Sequence, residues 1–511
     1  MSVPTTGLRA ILAAAALLAV SACSLRPAPI SPAEHIARAQ ADRQIIDTAF
    51  VPFSGDLTLA EALARGIKYN YEAQLAKLET TLQERQLDLA LAQMLPRVAA
   101  DAGYTTRNND NAAESVSVLT RRRSLEPSFS EERQRGTADI VFSWNLLDVG
   151  VSYFQAKQQG YRTLIAVERR RKVLDGIVKS VTETYWRAAA ANALLPQLDS
   201  VLHRASRMLD ASRTASERNL QPPLQLLDYQ QALITVVGEL RRTRNDLAAA
   251  RIQLSSLINV PIDAPIRLTT APATMQESAA DTRTLENIAL AQRPDLRIEA
   301  YQERIDRQDV YKEILRMMPG VGMLAQGNYD SNKYLFNNTW GELGVRATFN
   351  LVNLINGPKA IAAAETGVEV DRLRRLALSV ALLTQVNLSY QQYLNALDDL
   401  KTAQQIAAVG LQMERVTRNA SAAGAQSESD AVRHQLTALV VRLERDRALA
   451  RTHTALAGIY SAVGIDLVPP TADLNDLPIL TRQIDDTIRA WAAGRMPAAD
   501  TLAEAARPAA P

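Results

Sequence analysis

The sequence predicts a mainly α protein with a small β part, in which long antiparallel helical hairpins run into four β-strands per chain. Three observations predict it. Alanine and leucine carry most of the apolar content of a 511-residue chain that is 47% hydrophobic and only 5% aromatic, a helix-forming composition. The chain repeats itself with a period near 210 residues. Each repeat holds a segment of about ten residues that alternates apolar and polar side chains, which is the period of a strand. Basic and acidic residues, 57 and 55, interleave to a net charge of +2, so the charge gives no reason to expect nucleic acid as a partner.

Residues 1–22 read as a signal peptide. Arg9 supplies the positive start, and Ala10 to Val20 form an apolar stretch too short to span a bilayer comfortably. The stretch ends in Val20-Ser21-Ala22-Cys23, and Cys23 is the only cysteine. These residues resemble the lipobox of bacterial lipoproteins, whose cysteine is acylated and becomes the new N-terminus. An ordinary secretory signal cut near Ala22 is the alternative. Ser24 in place of aspartate implies, within lipoproteins, release to the outer membrane. Residues 23–56, with Pro27, Pro29, Pro32 and Pro52, read as an extended lipidated tether.

The duplication spans residues 57–270 and 271–466. Thr58-Leu59-Ala60-Glu61 opens a helical stretch to Leu95-Pro96, and Thr284-Leu285-Glu286 opens one to Met318-Pro319. Glu72 matches Asp295 and Pro96 matches Pro319, both 223 positions on. Trp144-Asn145-Leu146 matches Phe349-Asn350-Leu351, and Val181 and Tyr185 match Val386 and Tyr390, all 205 positions on. Each copy orders a helix, a proline stop, two strands, a long helix, a turn and a second long helix. Beyond residue 466 the pattern fades, and 467–511 reads as a partly disordered tail.

The strands carry a membrane signal. Ala138, Ile140, Phe142 and Trp144 alternate with Asp139, Val141, Ser143 and Asn145; Leu343, Val345, Ala347 and Phe349 alternate with Gly344, Arg346, Thr348 and Asn350. The weaker partners hold Val98, Ala100, Ala102 and Tyr104, and Val321, Met323, Ala325 and Tyr329. A soluble hairpin packed on a helix would alternate too; the export signal, the aromatic ends and the long polar loops favour the membrane. Open strand edges are not tolerated in hydrocarbon, and four strands cannot close a barrel. Several chains must then share one barrel: two chains would give eight strands and a filled interior, three would give twelve and a passage. Asp139, Asn145, Arg346 and Asn350 would line its water.

Leu226, Leu233, Leu240, Leu247 and Leu254 recur every seven residues, with Tyr229, Val236, Thr243, Ala250 and Leu257 between them. Leu373, Leu376, Val380, Leu383, Asn387, Tyr390, Leu394 and Leu397 keep the same rhythm in copy two. Sustained heptads specify coiled-coil packing. From Val151 to Asn219 the helical pattern is nearly unbroken, a rod on the order of 100 Å. The histidines are scattered, and no metal-ligand spacing, phosphate loop or nucleophile elbow is present, so neither a cofactor nor catalysis is expected.

Together these features resemble the TolC-type outer-membrane efflux family over residues 57 to 465, in its lipoprotein branch. The carriers are the lipobox, Leu57-Thr58-Leu59-Ala60-Glu61-Ala62-Leu63, Leu95-Pro96, Trp144-Asn145-Leu146-Leu147-Asp148-Val149-Gly150 and Leu226-Leu227-Asp228-Tyr229-Gln230-Gln231-Ala232. The resemblance implies a homotrimer: a twelve-stranded outer-membrane barrel continuous with a twelve-helix α-helical barrel, docked on a periplasmic adaptor (a membrane fusion protein) and an inner-membrane transporter. It also implies passive passage of cargo in efflux or type I secretion, without nucleotide hydrolysis. The turns at Asn219-Leu220-Gln221-Pro222 and Ala422-Ala423-Gly424-Ala425 would be periplasmic tips. Copy one departs here, with Pro222-Pro223 where copy two has Gly424. Asp228 and Asp430 follow the tips and would either ring the tunnel mouth or complement a helix dipole in its first turn. The competing reading is a lipid-anchored periplasmic coiled-coil adaptor or scaffold without a pore.

Overall fold

A computed structural model describes residues 28–493 except 52, 54, 115, 124–125, 218–222, 263, 265, 270–280, 427, 469–473 and 475. Cys23, the signal peptide, the first tip and the tail from 494 lie outside the described residues. Two units emerge, up to Pro52 and from Phe53 onward.

The first unit holds helix α1 (Pro32–Ala49) where an extended tether is expected. Ser31 caps it by accepting the Glu34 N–H, and Pro32 begins it, where its missing N–H costs nothing. Its alanine, arginine and glutamine residues continue it, and it buries none of them. Pro32 therefore starts a helix in a stretch expected to be extended.

In the second unit, copy one runs β1 (Gly55–Leu57), α2 (Leu59–Tyr69), α3 (Tyr71–Ala92), β2 (Arg97–Thr106), β3 (Ala112–Ala113), β4 (Ser128–Phe129), β5 (Gln134–Asn145), α4 (Leu146–Glu217), α5 (Pro223–Leu257) and β6 (Ile266–Leu268). Copy two runs α6 (Thr282–Gln292), α7 (Pro294–Arg316), β7 (Gly320–Asp330), β8 (Thr339–Thr348), α8 (Leu351–Ala422) and α9 (Glu428–Val463), and α10 (Leu477–Ala492) follows. The helix expected from Thr58 to Leu95 is broken at Asn70, whose side chain caps α3 by accepting the Glu72 N–H; Pro294 breaks its counterpart at the matching place.

The helices α4 and α8 each have 72 residues, hence about 108 Å of length. Along one half of α4 the packing order is α3, α4, α7, α8; along its other half it is α5, α4, α9, α8. So α3 and α5 form one edge of the arc and α8 the other. The central core lies where the halves meet. Leu57, Leu63, Val181, Tyr185, Leu254, Leu285, Val386, Tyr393, Tyr460, Leu480 and Ile484 are buried there together. The Tyr185 hydroxyl donates to the carbonyls of Leu57 (2.9 Å) and Thr269 (2.8 Å), fastening the parallel pair β1–β6 that brackets copy one. A second cluster holds Leu198, Leu233, Leu240, Leu247, Leu436 and Leu443.

Two features lay beyond the reach of periodicity. The stretch after residue 466 contains α10, which packs on α2 and stacks Trp491 on Tyr460 (centroids 3.6 Å apart); Leu480, Ile484 and Trp491 at helical spacing hold it in the core. The copy-two heptad is exposed at its start and buried only at Leu397. Leu373, Leu376 and Val380 are exposed, whereas Leu382, Val386, Tyr393, Ala396, Leu397 and Leu400 are buried. The helix α8 carries two apolar stripes, and periodicity does not say which one meets its own chain.

Candidate functional site: a two-faced sheet and a polar groove

The four long strands form one antiparallel sheet in the order β2-β5-β7-β8, leaving β2 and β8 as free edges. Directly opposed residues of an antiparallel pair point to the same face, so the register sorts the side chains. Ala100, Ile140 and Gly327 align with Gly341, and Val98, Phe142 and Ala325 align with Leu343. Ala102, Ala138 and Tyr329 align with Thr339, and Trp144 and Met323 with Val345. Not one of these residues is charged. Trp144 stands at the helix end of this face and Tyr104 and Tyr329 at the loop end, with Tyr104 opposite Gly136. The eight residue steps from 136 to 144 span about 27 Å along the strand, less after tilt, comparable to the apolar band of an outer-membrane barrel. Ile140, Val98, Leu343 and Val345 on this face are exposed.

The other face is polar. Asp101 opposes Asp139, which opposes Asn328, which opposes Trp340. Asn328 donates to Asp139 Oδ1 and accepts from Trp340 Nε1, both at 3.1 Å. One step along, Gln326 donates to Glu342 (2.9 Å). Arg346 lies on the same face, opposite Gly322, and makes no ion pair with any described residue. Asn145 and Asn350 stand where strand becomes helix. The Asn145 Oδ1 accepts the Leu147 N–H (3.0 Å), and the Asn350 Oδ1 accepts those of Val352 (3.0 Å) and Asn353 (3.4 Å). Both asparagines therefore cap the long helices, which is what joins strand to helix in each repeat.

The helical half contributes a groove of about 590 Å³ bordered by α4, α5, α8 and α9. Lys179, Glu183 and Arg187 of α4, Asp246 of α5, Gln385, Ser389, Gln392 and Asp399 of α8, and Asp446, Arg447 and Arg451 of α9 line it. Four acidic and four basic side chains balance, so the wall is wet and close to neutral. Trp186 also lines it; its indole stacks on His453 (centroids 3.8 Å), and its Nε1 is buried with no partner among the described residues. Burial drives the His453 pKa down to about 3, which keeps the ring neutral. None of this groove was legible as a site in the sequence. Its signal is a second, polar 3–4 spacing (385, 389, 392, 399) interleaved with the buried one.

A belt of ion pairs ties the repeats. Arg171 bonds Glu168 (2.6 Å) and Asp466 (2.9 Å), while Asp295 accepts from Lys172 (2.8 Å) and Arg293 (2.6 Å). Burial pushes the Asp295 carboxyl up, but these two cations outweigh it and hold it below the usual range. Elsewhere, burial and then the neighbouring Asp371 raise the pKa of Asp306 between α7 and α8.

At the tip, Gly424 adopts φ +72° and ends α8; the Ala425 N–H bonds the Ala420 carbonyl (2.8 Å), a Schellman closure. The two aspartates separate here. Asp228 is exposed and sits five residues beyond Pro223, past the first turn of α5, whereas Asp430 is the third residue of α9.

No family model and no curated protein matches the sequence. Solved structures do. The outer-membrane channel OprN is 13% identical with a TM-score of 0.61, over 80% of this chain and 89% of that one. CusC, whose structures concern folding and transmembrane channel formation, is 14% identical with a TM-score of 0.61, over 81% and 95%. The Campylobacter jejuni outer-membrane channel CmeC is 11% identical with a TM-score of 0.62, over 86% and 90%. These neighbours are channel proteins and not enzymes. The chain therefore has the fold of these outer-membrane channel structures.

Proposed function

We propose that the chain is one protomer of an outer-membrane channel, lipidated at Cys23, that passes cargo from a periplasmic adaptor and inner-membrane transporter to the exterior. The observation that carries this reading is a four-stranded sheet with one uncharged face, one polar face and two free edges. In hydrocarbon, free edges leave backbone N–H and C=O groups unsatisfied, at several kcal/mol each. Three copies joined edge to edge make twelve strands around a water-filled bore, with Asp139 and Arg346 on the inner wall and Asn145 and Asn350 at its junction with the helices. The helical edges support the same closure. Leu75, Leu78, Leu82 and Leu89 on α3, and Leu373, Leu376, Val380, Ile406, Val409 and Val416 on α8, are exposed apolar rows on the two sides of the arc. Each row gains a partner when one copy meets the next.

In this reading Asp228, Asp430 and Gly424 lie at the periplasmic mouth, and the acidic pair favours cations there. Planar-bilayer recording tests it: purified protein should give discrete conductance steps, and Asp228→Ala with Asp430→Ala should alter conductance or cation preference. Absence of any conductance from a membrane-extracted oligomer would leave the scaffold reading in its place.

A further inference from the structure

The loop joining β2 to β5 lies at the end of the sheet remote from the helices, and it sorts its charges. Near its base the ions are paired: Arg133 grips Asp110 (2.6 Å) and Arg123 meets Glu114 (3.5 Å). From the 331–338 loop, Lys333 reaches Glu132 (2.8 Å). The tip is built differently. Val116 bridges Arg123, the Ser117 N–H donates to the Arg122 carbonyl (3.0 Å), and the Arg121 N–H donates to the Ser117 carbonyl (2.9 Å). This closed turn presents Val118 and Leu119, 85% and 93% exposed, beside Arg121 and Arg122. Neither arginine makes an ion pair with a described residue. Arg121 also holds φ +53°, a backbone conformation that favours glycine, so a long cation is carried where a smaller residue would be less strained.

We propose that this turn is a docking surface for an anionic, phosphate-bearing lipid headgroup layer. The proposal rests on the membrane-channel reading. Two apolar side chains next to two unneutralised guanidinium groups match such a layer, where aliphatic side chains seat among the lipids and guanidinium forks grip phosphate oxygens. The paired base matters as much. With its carboxylates occupied, the loop offers no competing anion at the tip. Tyr104 and Tyr329, at this end of the apolar face, mark the level at which headgroups begin.

The test uses the full-length channel reconstituted in phosphatidylcholine bilayers containing spin-labelled phosphatidylglycerol or spin-labelled phosphatidylcholine. The motionally restricted fraction of each gives the protein's lipid preference. A basic side chain at an anionic surface contributes about fivefold. Arg121→Gln with Arg122→Gln should therefore cut the preference for phosphatidylglycerol by up to about 30-fold, and Val118→Ser with Leu119→Ser should weaken it further. An unchanged preference in the arginine variant overturns the proposal. So does full displacement of the lipid by millimolar inorganic phosphate, which would make the turn a free-anion site. Conductance recorded on the same preparations keeps the two readings apart: a conducting channel with unchanged lipid preference refutes only the docking surface.

Discussion

His453 shows how one buried side chain sets a response to acid. Its ring is pressed against Trp186 and its Nε2 has no partner among the described residues, so protonation in the fold would strand a charge. The unfolded chain takes up this proton near pH 6.5 but the folded chain only near 3. The stability is therefore complete above pH 6.5 and is lost as the pH falls toward 3. His453→Phe, which keeps a stacked ring, should flatten the melting temperature against pH across that window, as read by circular dichroism. Two glycines make a comparison at the same scale. Gly464 (φ +77°) ends α9 with backbone atoms of Arg293 2.9 Å from where a Cβ would stand, whereas nothing lies within 4 Å of that point at Gly424. Gly424→Ala should cost about 1 kcal/mol from backbone strain alone, and Gly464→Ala at least about 2 kcal/mol because the strand of chain beside it must move. Urea unfolding of the two variants gives the order.

Among the elements, the long hairpins hold by their leucine seam. Leu233, Leu240 and Leu247 of α5 meet Leu198 of α4 and Leu436 and Leu443 of α9, all buried. Leu240→Ala should destabilise the hairpin by about 2–5 kcal/mol, since it empties a fully enclosed position. Proteolysis of the hairpin relative to the central core would report it. The strand-to-helix junctions follow a different logic: the repeat-related Asn145 and Asn350 both use a carbonyl oxygen to satisfy first-turn N–H groups. This capping explains why the Trp144-Asn145-Leu146 motif recurs as Phe349-Asn350-Leu351.

At the scale of the whole molecule, the proposed assembly rests on the edges of the arc. Val380→Asp or Leu78→Asp places a charge in an apolar row that no described residue covers. Either should leave the helical content of the chain intact and shift the detergent-extracted protein from oligomer to monomer, seen by light scattering. A variant that stayed oligomeric with both charges present would remove these rows from the interface.

Much of this architecture is written in local sequence. The period near 210 set the order of elements, the alternation at 138–145 and 343–350 set two of the four long strands, and the spacing from Leu233 to Leu254 set the buried seam of α5, because each is a property of neighbours along the chain. What the chain could not declare by itself depends on contacts between distant segments. The pairing of β5 with β7 across the repeats, the choice of which apolar stripe of α8 turns inward, the docking of α10 and the neutral groove beside Trp186 all arise only when both copies pack. Periodicity names a face, and tertiary packing chooses its partner, because burial energy is nearly indifferent to which apolar surface covers another.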